Sequence, residues 1–351
     1  MDSALILAQL ALGTLGVLGI AVSAPGEWQS QGLRVLFGLA ITVLVARLSL
    51  RQVVKLSPYL YLGVLVLLVA VFFIGLSPAG SESRRWLAVP GFNFTLQPSE
   101  LMKVAVIAYL AAFFHNHLGN WQIWRPMLVV GFAAGLVMVQ PNISTALFIF
   151  VLALTIMLAA GITLTRLLSI SVAALLIAAL IAGPYLSQYS YIKDRLTGFS
   201  DLWGAQQQTQ TISFQAIQAQ RTLIRAGLVG VGPGQPMSVP AADTDMIAVA
   251  IGHTLGLLGL TTLIALYLII AVRGIAIAGR LNGPGSLLAA GATAYLCGQA
   301  AINLLVAAGL LPVTGMPLPF VSYGLNSLVS TSIAIGFIHS GYRQSQLEAA
   351  P

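Results

Sequence analysis

Apolar residues in this chain come in runs rather than in alternation. Stretches of about twenty, enough for a helix to cross a hydrocarbon core of roughly 30 Å, fall at about 4–23, 31–50, 58–78, 98–114, 126–140, 142–161, 165–183, 246–272, 285–311 and 322–341. The pattern predicts an all-α polytopic membrane protein with about ten transmembrane helices, read as a single transmembrane domain over 1–351. The fifth and sixth runs meet at Gln140, Pro141 and Asn142. A proline and two amides there make either a tight hairpin or a break within one helix, so nine spans is the alternative. An even count puts both termini on one side. Between the seventh and eighth spans the apolar pattern lapses over 184–245, and connections of that length are usually functional.

Composition closes off the soluble classes. Hydrophobic residues make up 58% of the chain and charged residues 7%, with a mean hydropathy of +0.93. The basic residues of the short connections sort by side. Arg47, Arg51, Lys55, Arg125, Arg166, Arg273, Arg280 and Arg343 fall at alternate connections and the C-terminus, whereas the short connections opposite hold Arg84 and Arg85. The termini are therefore expected in the cytoplasm. The 184–245 segment is expected outside, with nearly all the carboxylates: Glu27, Glu82, Glu100, Asp194, Asp201, Asp243 and Asp245. The net charge of +7 suits anionic lipid headgroups, and no basic tract with interleaved aromatics points to nucleic acid. Cys297 is the single cysteine; it reads as packing and leaves no intramolecular disulfide or thiolate metal site. The first span lacks a small-residue cleavage motif and reads as a retained helix. With no internal repeat and no Walker-type phosphate loop, nucleotide-hydrolysing transporters are excluded.

Three polar stretches carry candidate chemistry. In the first, Arg84, Arg85 and Trp86 lead through an aromatic segment to Pro98, Ser99, Glu100 and Lys103. Ser99 is placed to cap a helix, and Glu100 with Lys103 forms an i,i+3 pair inside an apolar run, either a structural ion pair or a lining of the substrate path. In the second, 184–245, glutamines cluster from Gln206 to Gln220. Phe214, Ile217, Leu223, Ile224 and Leu228 stand against Gln215, Gln218, Arg221 and Arg225, which predicts an amphipathic surface helix over 212–228. Arg221 and Arg225, one turn apart, suit a substrate phosphate or lipid headgroups equally. Gly230, Gly232 and Gly234 supply turns and close backbone approach. The segment closes from Pro240 to Asp245, where Asp243 and Asp245 stand at a lipid boundary that penalises dehydrated, unpaired charge. In the third, Pro312, Pro317 and Pro319 stiffen an outward connection, and Ser322, Tyr323, Asn326 and Ser327 bring polar groups to membrane depth, which argues for a cavity wall.

In order along the chain, Arg85-Trp86, the run Gln97 to Lys103, Gln215 to Gln218 with the glycine run, Pro240 to Asp245, and Pro312 to Gly324 resemble the SEDS family (shape, elongation, division and sporulation). The resemblance spans nearly the whole chain, and Pro312 to Phe320 is worded more like the family's elongation branch, RodA, than its division branch, FtsW. It implies a peptidoglycan glycosyltransferase polymerising lipid II at the outer face of the bacterial cytoplasmic (inner) membrane during cell elongation. It also implies a class B penicillin-binding protein, the transpeptidase, as partner. The family's loop aspartate falls on Asp245, and its Glu-x-x-Lys pair on Glu100 and Lys103. The chain departs from the family pattern at Ala241 and Asp243, at Gly252-His253-Thr254, and at Leu325. Asp243 either restores a carboxylate lost at 241 or caps the following helix.

Joining two lipid-linked disaccharides needs a base for the attacking hydroxyl and stabilisation of a diphosphate-lipid leaving group. Asp245 fits either as that base or as the ligand of a divalent cation, Mg or Mn; no organic cofactor is expected. Lys103, Arg221 and Arg225 are candidates for neutralising the leaving charge, and Gln218, Tyr323, Asn326 and Asp243 for contacting substrate. Direct attack on the anomeric carbon implies inversion, since no second well-placed carboxylate argues for a glycosyl-enzyme. The competing readings are a flippase for the lipid-linked precursor, an FtsW-like division polymerase, and a scaffold for the transpeptidase.

Overall fold

The computed structural model describes residues 1–77, 83–91, 94–116, 123–186, 212–235 and 237–349. Glu82, Asp194, Asp201 and Gln206 lie outside the described residues, as does the 187–211 part of the long connection. The helices in chain order are α1 (Ser3–Ser23), α2 (Trp28–Arg47), α3 (Leu50–Ile74), α4 (Pro98–Asn116), α5 (Trp124–Val139), α6 (Ile143–Ala159), α7 (Leu164–Leu186), α8 (Ile212–Ala226), α9 (Ile247–Gly279), α10 (Pro284–Ala307) and α11 (Leu325–Ala349). A short antiparallel hairpin, β1 (Leu87–Ala88) with β2 (Thr95–Leu96), precedes α4. Each of the ten apolar runs lies on its own helix, and α8 is the amphipathic helix expected inside the long connection. The nine-helix alternative does not hold, because the chain turns between α5 and α6 and the two pack on each other. That turn is stitched from outside: Arg85 donates to the Gln140 carbonyl (3.2 Å) and to the Pro141 carbonyl, and the Gln140 amide donates to the Leu68 carbonyl (2.9 Å).

Among the described residues, α1, α2, α3, α9 and α10 are long and apolar enough to cross a membrane by themselves. α4 and α11 instead carry polar residues that the bundle buries, including Glu100, Lys103, Ser330, Thr331, Ser332 and His339. α10 packs against α9, α11, α4 and α6, and is the post around which the site is built. At the end holding both termini, Arg273 near the close of α9 pairs with Asp2, whose side chain also caps α1 through the Leu5 N–H (3.1 Å). Arg343 there donates to the Arg47 and Leu48 carbonyls (2.8 Å each).

Three elements differ from the hydropathy reading, each for a local reason. α3 begins eight residues earlier than its apolar run, because Ser49 and Gln52 form a reciprocal capping box. Its Pro58 removes the donor to Val54, and the Ser57 hydroxyl takes that carbonyl instead (2.9 Å). In α8 the side turned onto the bundle is Ala216, Ala219 and Ala226 with half-buried Leu223, while Ile224 is 80% exposed beside Arg225. α8 crosses α9 closely at Gly252, where a side chain would strike Leu223.

The largest difference is in α9, expected as a continuous span. Gly256 adopts φ 64° and ψ −153°, which breaks the helix and orphans backbone groups on both sides. The segment after α8 supplies their partners. Val231 and Gly232 N–H donate to the His253 and Thr254 carbonyls (2.9 and 3.2 Å), and the Gly227 and Leu228 carbonyls accept from Leu257 and Leu258 (3.0 and 3.2 Å). Irregular backbone is sustainable at membrane depth only when protein satisfies it in this way. The two strands of backbone touch so closely that a Cβ at Gly230 would collide with the Thr254 carbonyl, and one at Gly256 with the Gly230 nitrogen.

Gly256→Ala is expected to cost at least about 1–3 kcal/mol through its left-handed backbone alone, read as a lowered thermal midpoint in detergent. Gly63→Ala in α3, where a Cβ meets nothing within 4 Å, is the control and should be neutral or slightly stabilising.

Candidate functional site

Two irregular segments meet at the end of the bundle opposite the termini: the turn 240–246 that leads into α9, and the connection 308–324 between α10 and α11. In the turn, Thr244 and Met246 N–H both donate to the Ala241 carbonyl (3.1 and 2.9 Å), winding the chain tightly around Asp243 and Asp245. Ala241 is held at φ 53° and Phe320, in the facing connection, at φ 65°. Left-handed backbone at a residue with a side chain costs about 1–3 kcal/mol and persists only where the surroundings over-determine it.

The surroundings here do so with four donors from three parts of the chain. Gln215 of α8 donates to the Pro240 carbonyl (3.1 Å), the Tyr323 N–H to the Asp243 carbonyl (2.8 Å), the Ser322 hydroxyl to the Thr244 carbonyl (2.7 Å), and Asn303 of α10 to the Asp245 carbonyl (2.8 Å). The backbone is thereby fixed, and both aspartate side chains stand half-buried at the rim. The facing connection is held in the same manner. Its Met316, Pro317, Pro319 and Val321 carbonyls accept from Asn303 (2.8 Å), Gln299 (2.7 Å), Tyr267 (2.6 Å) and Gln31 (3.2 Å).

Glu100 and Lys103 lie deeper, 3% and 0% exposed. The Lys103 ammonium donates to Glu100 (2.8 Å) and to Gln299 (2.5 Å), with the Tyr295 ring centroid 4.9 Å away. Ser330 of α11 reaches the other Glu100 oxygen at 3.5 Å and is itself joined to the Tyr295 hydroxyl (2.8 Å). Of the two sequence readings, the geometry is that of an interior ion pair enclosed by protein.

Tyr323 and Asn326 open instead onto a cleft of about 470 Å³ lined also by Arg34, Ala88, Phe94 and Thr95. Asn326 closes one wall, accepting from the Gln97 N–H (3.0 Å) and donating to the Thr95 carbonyl (2.8 Å), so that α11 is tied to the hairpin. Tyr323 donates to Glu27 (2.6 Å) under the Arg34 guanidinium, 3.6 Å from the ring centroid. Burial, followed by that bond to Glu27, raises the phenol pKa and keeps it a proton donor. Gln218 is half-buried on α8, and Arg221 and Arg225 are exposed beside it.

The structure therefore joins Asp243 and Asp245 to Tyr323 through backbone, and Tyr323 to Asn326 across the cleft. It leaves Glu100 and Lys103 inside the bundle. Sequence reasoning missed Gln299, Asn303, Gln31 and Arg34. The signal was present for the first two, since amides inside an apolar run are costly unless they bond.

A family model described as cell cycle protein (FtsW, RodA, SpoVE) matches residues 5–346. The chain belongs to that family, the SEDS polytopic membrane proteins. Relatives include proteins named probable peptidoglycan glycosyltransferase FtsW. The one from Geobacter metallireducens is 31% identical over 322 residues (88% of this chain, 82% of the relative), and the one from Coxiella burnetii 33% over 316 residues (86% and 82%). A solved structure, described as structural coordination of polymerization and crosslinking by a peptidoglycan synthase complex, superposes with TM-score 0.82 at 25% identity over 98% of both chains. The rod shape determining protein RodA of Thermus thermophilus shares the fold, with TM-score 0.72 at 23% identity over 98% of this chain and 97% of that one.

Lys103→Met should destabilise the folded chain by about 3–5 kcal/mol, because it leaves Glu100 buried and uncompensated. Adding Glu100→Gln should recover part of that loss, as read from thermal midpoints of the single and double variants.

Proposed function

We propose that this chain is the glycan polymerase of a peptidoglycan synthase, joining lipid II disaccharides at the outer face of the cytoplasmic membrane, with its termini in the cytoplasm. The observation that carries the reading is the over-determined turn at 240–246, which holds Asp243 and Asp245 at the outward rim of a SEDS chain. Strain maintained by bonds from three separate parts of the chain is what a site needs when a carboxylate must meet a reacting hydroxyl in one orientation. In this reading Asp245 takes the proton of the attacking sugar hydroxyl, and direct displacement inverts the anomeric carbon. Arg221 and Arg225, exposed on α8, offset the charge of the departing diphosphate. Gln218, Asp243, Tyr323 and Asn326 contact the sugars and peptide. As the alternative to Asp245 acting as base, Asp243 and Asp245 are hard oxygen donors that would hold Mg or Mn, and the cation would supply charge neutralisation for the diphosphate.

The similarity to a chain from a synthase complex supports a class B penicillin-binding protein as partner. Against the flippase, Glu100 and Lys103 are answered by protein groups rather than by a path through the bundle. The relatives named above weigh toward the division branch, and we take that role over the elongation role that the wording of Pro312 to Phe320 indicates.

With purified lipid II and the cognate transpeptidase, Asp245→Asn should lower polymerisation by about 10²–10⁴-fold. Asp243→Asn should have a smaller effect, and chelation of divalent cations should mimic a loss at Asp245. Undiminished polymer from Asp245→Asn in an intact complex would overturn the assignment. In cells, a fluorescent fusion should gather at the septum and depletion should give filaments; lateral signal and rounded cells would return the chain to the elongation branch.

A further inference from the structure

Two amides one helical turn apart on α10, Gln299 and Asn303, stand between the buried charge of Lys103 and the turn that carries Asp245. We propose that they are positioning residues of the polymerase site, and that Lys103 acts on Asp245 through them. The inference rests on Asp245 being the reacting carboxylate.

An ammonium has three donors and no acceptor, so Lys103, 2.5 Å from Gln299, compels the Gln299 amide to present its oxygen inward. The NH₂ group must then point the other way, where it donates to the Pro317 carbonyl at 2.7 Å. A glutamine amide is nearly symmetric in shape, and without a neighbouring charge both orientations would fit the same volume. Lys103 removes that choice, which gives a fully buried cation a purpose other than touching substrate.

One turn further along, the Asn303 NH₂ divides its two hydrogens between the Met316 and Asp245 carbonyls, each at 2.8 Å. Gln299 and Asn303 are 0% and 1% exposed. Among the described residues the Asn303 oxygen is buried without a partner, so the residue meets a desolvation cost in order to hold both carbonyls at once. Met316 and Pro317 are consecutive, so the two amides grip adjacent carbonyls of the connection while Asn303 alone also grips the turn. The connection needs such a grip because Pro312, Pro317 and Pro319 lack N–H groups with which to tie it down. Held by α10, the connection in turn presents Ser322 and Tyr323 to the Thr244 and Asp243 carbonyls. Asp245 is thus located relative to α10 from both sides, and a displacement of order 1 Å at a reacting group can cost about 10²-fold in rate.

The test uses the full chain in complex with its transpeptidase. It reads hydrogen exchange over 241–246 and 313–323, and kcat and KM for polymerisation of lipid II. Asn303→Leu should raise exchange in both segments about tenfold, the worth of a buried hydrogen bond, and should lower kcat with KM nearly unchanged. Gln299→Met and Lys103→Met should each raise exchange in 241–246, although neither side chain touches that turn. Combined, they should raise exchange over 241–246, relative to the rest of the chain, no more than Gln299→Met alone, because Lys103 reaches that turn through Gln299. Where Asn303→Leu does not fold, Asn303→Ser, which keeps one donor, should move both readings in the same direction. Additive effects of Lys103→Met and Gln299→Met, or exchange over 241–246 that stays native in these variants, would overturn the proposal. Asp245→Asn, measured alongside, separates the two readings. Normal polymer from it removes the underlying assignment, whereas an inactive Asp245→Asn beside native exchange and kcat in Gln299→Met and Asn303→Leu removes the positioning role alone.

Discussion

An ammonium enclosed by protein has to be answered by protein, and the inner half of this bundle is arranged around that requirement at Lys103. Glu100 answers it from the same helix, Gln299 from α10, and the face of Tyr295 from a third direction. Each of those groups is occupied in turn: Glu100 by Ser330 of α11, and Gln299 by the Pro317 carbonyl. The ion pair thus fixes the relation of α4, α10 and α11 and, through α10, the outward connections. Replacing any one of the members with an apolar group leaves another unanswered in a place where water does not reach.

The same requirement explains the backbone. A helix broken at membrane depth exposes carbonyls and N–H groups that lipid cannot bond. α9 breaks at Gly256, and the chain leaving α8 is folded back to supply the missing partners at His253, Thr254, Leu257 and Leu258. This gives the glycine-rich run its purpose, since Gly230 and Gly256 meet backbone to backbone with no room for a Cβ. It also anchors α8, whose Gln215 reaches the turn that carries the aspartates.

The ten helices could be read from hydropathy because a run of apolar residues is a property of one segment at a time. The amphipathic helix after residue 212 was legible for the same reason, as were the two aspartates, the Glu100–Lys103 pair and the prolines of the last connection, which are conspicuous in an apolar chain. The start of α3 was not, because a capping box formed by Ser49 and Gln52 outweighs hydropathy at a helix end. Which side of α8 meets the bundle was not read from the sequence. α8 crosses α9 closely, and a periodic pattern does not state how near the neighbouring helix lies.

By itself, then, the sequence determined the class of protein, the order of its apolar spans, with nine or ten left open at Gln140 to Asn142, and the residues to suspect. Tertiary structure alone decided which of those residues meet: that Lys103 faces Gln299 rather than the outside, that Asn303 holds the carbonyl of Asp245, that Tyr323 and Asn326 share a cleft with Arg34, and that Gly230 rests on Gly256. The reason is physical. Burial of a helix is set by its own side chains, whereas the pairing of polar groups in a bundle depends on the crossing of helices far apart in the chain, where each donor takes whichever acceptor the packing brings within reach.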